Sequence, residues 1–194
     1  MRHLASLVLT LFVATVSVAQ AQTNGPWSAT LYVGPSTTKY FGAVLQSFNL
    51  QPTGAMVGVA VDRRLLYLGQ GISIAAEGQV TQYFFGHKDT TLAFGLGFQA
   101  DDVFGLKRTT WSIYAGPSYA TDPPYTSIGY RGIVYPASRV RFLNFVGIEW
   151  AVGFSDESKW QGVFRIYHRS GLMGLYTDSD DDGMALGFGI RRRF

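Results

Sequence analysis

The chain has 194 residues, no cysteine, 47% hydrophobic, 15% aromatic and 15% charged residues, and a formal net charge of +3. The aliphatic and aromatic content excludes an intrinsically disordered chain, the missing cysteines exclude a disulfide or thiolate-metal scaffold, and 23 glycines without a period of three exclude a collagen-like one. Charge covers about a quarter of an ordinary soluble domain, so its scarcity here points to one packed or membrane-embedded domain that is apolar, aromatic and glycine-rich.

The first segment reads as an export signal. Arg2 and His3 form a positive start, Leu4 to Val18 an almost wholly apolar stretch, and Ala19-Gln20-Ala21 a small-x-small cleavage site. Residues 1–21 are therefore expected to be removed, leaving 22–194 as a single domain. No run of about 18 uninterrupted apolar residues follows, so spanning helices are not expected. No basic run is long enough to suggest nucleic acid, and export makes that partner less plausible still.

What recurs instead is alternation with period two, the signature of strands with one apolar face. Between Thr91 and Gln99, Leu92, Phe94, Leu96 and Phe98 share one face, while Ala93, Gly95 and Gly97 lie on the other. Gly71 to Gln82 sets Ile72, Ile74 and Val80 against Ser73, Glu77, Gln79 and Thr81, and the last segment sets Met184, Leu186, Phe188 and Ile190 against Gly187, Gly189, Arg191 and Arg193. Small, polar and charged residues in the middle of long strands suit the narrow lumen of an eight-stranded antiparallel transmembrane β-barrel whose outside meets lipid. Strands are expected at about 26–35, 54–63, 71–84, 90–100, 108–119, 138–153, 159–171 and 183–194. A bulge near Phe145 to Gly147 is expected, because Leu143 and Phe145 are out of phase with Val146, Ile148 and Trp150.

Connection lengths and termini orient such a barrel in the bacterial outer membrane. Short connections such as Ser155 to Ser158 alternate with long ones at Ser36 to Thr53, Ala120 to Ala137 and Met173 to Asp182, and in this class the longer loops are extracellular and the termini periplasmic. Trp27, Trp111, Trp150 and Trp160 fall near predicted strand ends, where interfacial aromatic girdles lie. Glu77, Arg141, Glu149, Arg165, Arg191 and Arg193 oppose the apolar positions of their strands and are expected to fill the lumen.

Chemistry then has few candidates. After the signal only His87 and His168 remain as histidines, and His87 sits in Gly86-His87-Lys88-Asp89, a turn composition. In Val163 to Ser170, period two puts His168 and Ser170 on the face of Phe164 and Ile166, about 6.5 to 7 Å apart along it. The same parity puts Asp182 on the apolar face of the last strand and Asp181 toward the lumen. The last two strands should pair antiparallel, so the three groups converge at the outer-leaflet end. A polar trio on a lipid-facing surface is costly unless it is interfacial or has a task, and lipopolysaccharide occupies that leaflet. Asp178-Ser179-Asp180-Asp181-Asp182-Gly183 also matches the first half of a calcium loop, with Asp178, Asp180 and Asp182 as weak candidate ligands, although the distal glutamate is missing.

The segment Tyr167-His168-Arg169-Ser170, followed twelve residues later by an acid and a glycine-rich closing strand, resembles the outer-membrane lipid A 3-O-deacylases of the PagL type. The resemblance covers about the last 35 residues. It implies an eight-stranded barrel that hydrolyses the 3-O-linked acyl chain of lipid A without a cofactor, with Ser170 as nucleophile, His168 as general base and Asp182 as the orienting acid. The chain departs from that pattern twice: the family's acid is glutamate, and the family's asparagine after the serine is Gly171 here, which offers only a backbone N–H to an oxyanion. The alternatives are a non-catalytic outer-membrane barrel with a structural or binding role and a calcium-dependent phospholipase.

Overall fold

The computed structural model describes residues 27–37, 51–85, 88–122, 126–128, 134–136, 141–171 and 181–194. Ten strands follow in chain order: β1 (Trp27–Thr37), β2 (Gly54–Gly69), β3 (Ile72–Phe84), β4 (Thr90–Asp101), β5 (Thr109–Ala120), β6 (Thr126–Ile128), β7 (Val134–Pro136), β8 (Phe142–Gly153), β9 (Trp160–Ser170) and β10 (Asp181–Arg193). Eight of them close a barrel in the order β1-β10-β9-β8-β5-β4-β3-β2, and β6 and β7 pair separately between β5 and β8. Every barrel pairing is antiparallel, and β1 completes the ring by pairing with both β2 and β10. All eight expected strands are present. The largest boundary difference is β2, which runs to Gly69 instead of about 63, because register shifts at Arg64/Leu66 and Tyr67/Gly69 scramble the alternation over its last turns. The turn that follows places Gly69 and Gly71 at φ of 98° and 78°, a region that glycine enters without strain.

Alternation separates the two faces. Outward, Leu92, Phe94 and Phe98 on β4 and Phe188 and Ile190 on β10 stay exposed, as do many other large apolar side chains around the wall. A soluble monomer does not leave such a continuous apolar surface in water. Inward, β3 contributes Ser73, Glu77, Gln79, Thr81 and Tyr83, and β9 contributes Gln161, Arg165, Tyr167 and Arg169, all buried. Among the described residues no helix is long and apolar enough to cross a membrane. Apolar outside and polar inside is the arrangement of an outer-membrane barrel, and the protein is one.

Eight strands leave a bore just wide enough for side chains, and here they fill it. Tyr32, Tyr114, Tyr167, Phe145, Arg165 and Arg191 are all essentially inaccessible. Inward glycines make room for the largest of them: a Cβ on Gly58 would lie 2.2 Å from the Tyr32 ring, and one on Gly147 would lie 2.9 Å from the Arg165 guanidinium. The charges pair across the bore. Arg165 donates to Glu77 (2.8 Å) and Glu149 (3.3 Å), and Arg191 donates to Glu149 and, at 3.0 Å, to Thr30. Asp62 completes the group, 3.6 Å from Arg191 and accepting from Gln99 at 2.7 Å. Desolvation costs several kcal/mol per buried ion, on the order of what close opposite charges return, so these groups persist only as a connected set.

Three expectations about the lumen change. Arg141 is exposed ahead of β8, not inside, because β8 starts at Phe142 and the alternation that would turn Arg141 inward has not begun. Arg193 is half-buried at the lumen mouth, where it donates to Thr110. No bulge interrupts β8: its pairings with β5 and β9 run unbroken, and Leu143 and Phe145 are simply apolar residues that point inward. Phe145 stacks on Tyr167 with centroids 5.9 Å apart.

The connections 70–71, 102–108 and 154–159 lie at the end that carries Trp27 and Phe194, whose backbones are hydrogen-bonded, and the other end carries the short connection 85–89 together with the three longest ones. By the rule for this class the first end is periplasmic. All four tryptophans sit outward toward it: Trp111 stacks on Trp150 at 5.6 Å, Arg63 lies over Trp27, and Arg192 lies over Trp160 and Phe194. That belt of aromatic rings and cations suits a membrane interface.

Candidate functional site

β9 rises from the periplasmic end and finishes at Ser170, so its last residues reach the outer end of the wall. Arg169 fixes the phase of that end. Its guanidinium turns inward, where Nε donates to Ser118 Oγ at 2.9 Å and an Nη donates to the Arg141 carbonyl at 3.0 Å. Ser118 in turn donates to the Leu143 carbonyl at 3.0 Å. Two residues earlier Tyr167 is buried against Phe145. With 167 and 169 committed to the lumen, period two turns His168 and Ser170 outward, and both are half-buried there. The shared outward face expected of the pair is what the strand adopts. The inward anchor is a residue that sequence reasoning quoted without assigning it a role.

The neighbouring strands complete the surroundings. His168 lies opposite Val146 on β8 and Met184 on β10, and Ser170 lies opposite Asn144 and Asp181. Directly opposed residues on adjacent strands share a face, with Cβ atoms about 4.5 to 5.5 Å apart. The outward rank therefore carries Asn144 and Ser170 side by side, with His168 one step toward the periplasm. Asn144 and Met184 are only 4% exposed although they stand on the outward rank, whereas Phe188, further down the same face of β10, is 56% exposed. Shelter is therefore local to Asn144 and Met184, since Phe142 beside Asn144 is exposed as well.

The acid lies at an irregularity. Between Asp181 and Met184 the register shifts, so two residues of β10, Asp182 and Gly183, stand against Arg169 alone on β9. The parity that put Asp182 outward and Asp181 in the lumen assumes an unbroken strand. In the register Asp181 is the Cα partner of Ser170. The side chain of Asp182 lies outside the described part of the molecule, as do Asp178 and Asp180 of the possible calcium loop, His87, and the signal residues 1–21. Gly171 follows directly after β9 and is buried.

At the periplasmic mouth, Ser28, Asp62, Arg64, Gln99, Arg191 and Arg193 line a pocket with room for about one water. Arg64 closes it with a bidentate pair to Asp101. This cluster ties strand ends together and offers no space for a substrate.

No family model and no curated protein matches the chain. Among solved structures, the outer membrane protein OprG from Pseudomonas aeruginosa superposes with a TM-score of 0.41 at 10% identity, over 90% of this chain and 98% of that one. Both the exterior apolar belt and the ion-paired bore of the present chain stand on its own side chains, and they make it an eight-stranded barrel of the bacterial outer membrane.

Proposed function

We propose that this barrel works on its outer wall and not through its bore, as an ester hydrolase that removes the 3-O-linked acyl chain of lipid A in the outer leaflet. Ser170 is the nucleophile, His168 the general base, and Asp182 the acid that orients the imidazole. The observation that carries this reading is the placement of His168 and Ser170 on the outward rank at the outer end of β9, held in phase by the inward Arg169. A filled bore supports the same reading by leaving the outer wall and the loops as the places where work is done. A hydrolase at that height meets the acyl esters of lipopolysaccharide without drawing its substrate out of the membrane.

The test is made in a Gram-negative host whose lipid A retains its 3-O-acyl chains. Expression of the protein removes one hydroxyacyl mass from lipid A, and Ser170→Ala restores it; an unchanged spectrum from folded wild-type barrel refutes the assignment. A second reading, a non-catalytic barrel with a structural or binding role, is favoured by the register break at Asp181/Met184, which disturbs the strand position where an acid would be held. It predicts that Ser170→Ala and His168→Ala leave lipid A untouched.

A further inference from the structure

An ester hydrolase needs a donor aimed at the oxygen on which charge develops, and the residue after Ser170 is a glycine that brings no side-chain donor. The outer wall holds another. Asn144 on β8 is the cross-strand partner of Ser170, is 4% exposed, and has an amide nitrogen without a hydrogen-bond partner among the described residues. Buried amide nitrogens are nearly always satisfied, so an orphan calls for a reason; the Gln79 amide nitrogen in the bore is unpartnered as well, but Asn144 is the one that stands beside the wall's serine. The rank around Asn144 narrows the reason down. Along its own strand the neighbours on the same face are Phe142 and Val146, across to β5 the neighbour is Pro117, and across to β9 it is Ser170. Three of the four are apolar, and the fourth is the proposed nucleophile.

We infer that the Asn144 carboxamide is the oxyanion donor of this site, an inference that rests on the hydrolase reading above. Ser170 Oγ bonds to the acyl carbonyl carbon as its proton passes to His168, and the carbonyl π pair moves onto oxygen. That oxyanion accepts the free N–H of Asn144. Collapse re-forms the carbonyl and breaks the ester C–O bond, and the departing sugar oxygen takes the proton from His168, leaving acyl-Ser170. Water, giving a proton to His168, then attacks the acyl carbon through a second oxyanion at the same donor; its collapse breaks the bond to Ser170 Oγ, which takes the proton back from His168 as the fatty acid leaves. Among the described residues the donor has no partner, which is what preorganisation for a transient charge requires.

The experiment measures fatty acid release from detergent-dispersed lipid A, per folded barrel, with folding scored by heat-modifiable migration. Asn144→Asp keeps the shape and loses the donor; Asn144→Ala loses both. Expected is a fall in kcat of about 10²- to 10³-fold in each, with KM within about twofold, because the donor acts in the transition state. If Asn144→Ala fails to fold, Asn144→Asp decides alone, and Asn144→Ser, which retains a hydroxyl donor, is expected to recover at least tenfold over it. Wild-type kcat in either folded variant, or a loss confined to KM, overturns the inference and leaves the hydrolase standing. A folded wild-type barrel that releases no fatty acid overturns the hydrolase reading, and the inference with it.

Discussion

The bore and the upper outer wall of this barrel both hold polar side chains, but on different terms. In the bore, Arg165, Arg191, Glu77, Glu149 and Asp62 meet opposite charges across the lumen, drawing on five of the eight barrel strands, β2, β3, β8, β9 and β10. These contacts join strands far apart in sequence, and their logic is structural: a narrow lumen must be filled, and its charges must cancel. On the outer wall, Asn144, His168 and Ser170 interrupt a mostly apolar face, and the Asn144 nitrogen, like the Gln79 amide nitrogen and Ser112 Oγ in the bore, has no partner among the described residues. Nothing about closing a barrel requires polar groups there, since Leu or Val would meet lipid at lower cost. A polar group that folding does not need is a candidate for function, whereas one that folding does need is a poor candidate however buried or charged it is.

Substitutions on the two sides should therefore fail in different ways. On the proposed hydrolase reading the largest effect falls on the wall: Ser170→Ala should lower hydrolysis by about 10⁶-fold, the scale on which loss of a serine nucleophile acts elsewhere, and leave the unfolding midpoint unchanged. Next comes the bore, where Glu77→Ala strands Arg165 with only the longer contact to Glu149. It should cost about 3 to 5 kcal/mol in urea titrations of the refolded barrel, and Arg165→Met added to it should recover much of that loss. Arg169→Leu links the two regions. Losing its bonds to Ser118 and the Arg141 carbonyl should cost about 1.5 to 3 kcal/mol, and activity per folded barrel should drop tenfold or more as His168 and Ser170 lose their fixed phase. The smallest effect belongs to the periplasmic belt. Trp111→Ala removes the stack on Trp150, costs about 0.5 to 1.5 kcal/mol beyond the area lost, and leaves hydrolysis intact.

Much of this architecture is written in period-two alternation, because a barrel sorts residues by face and the pleat enforces the sorting. That is why eight strands, the lumen roles of Glu77, Glu149, Arg165 and Arg191, and the outward turn of His168 and Ser170 are legible one strand at a time. What escapes is whatever depends on register between strands. Apolar character alone cannot show that Leu143 and Phe145 point into the bore, because a lumen floor packed by Tyr167 accepts Phe as readily as lipid does. The shift at Asp181/Met184 is invisible too, since parity counted back from Phe188 passes through it without a mark. Asn144 was missed for the same reason: it lies 26 positions from Ser170 in the chain and becomes its neighbour only through the β8–β9 pairing.

On the proposed hydrolase reading, Ser170 on the wall acts chemically whereas a serine in the bore does not. Ser112, inward on β5 and 3% exposed, is the matched control for Ser170. Purified wild type, Ser112→Ala and Ser170→Ala, each refolded in detergent and shown to be heat-modifiable, are incubated with lipid A and the released hydroxy fatty acid is quantified. Equal release by wild type and Ser112→Ala, and none above background by Ser170→Ala, is the expected result. Release by Ser170→Ala at the wild-type rate, or its absence from all three folded barrels, would contradict it.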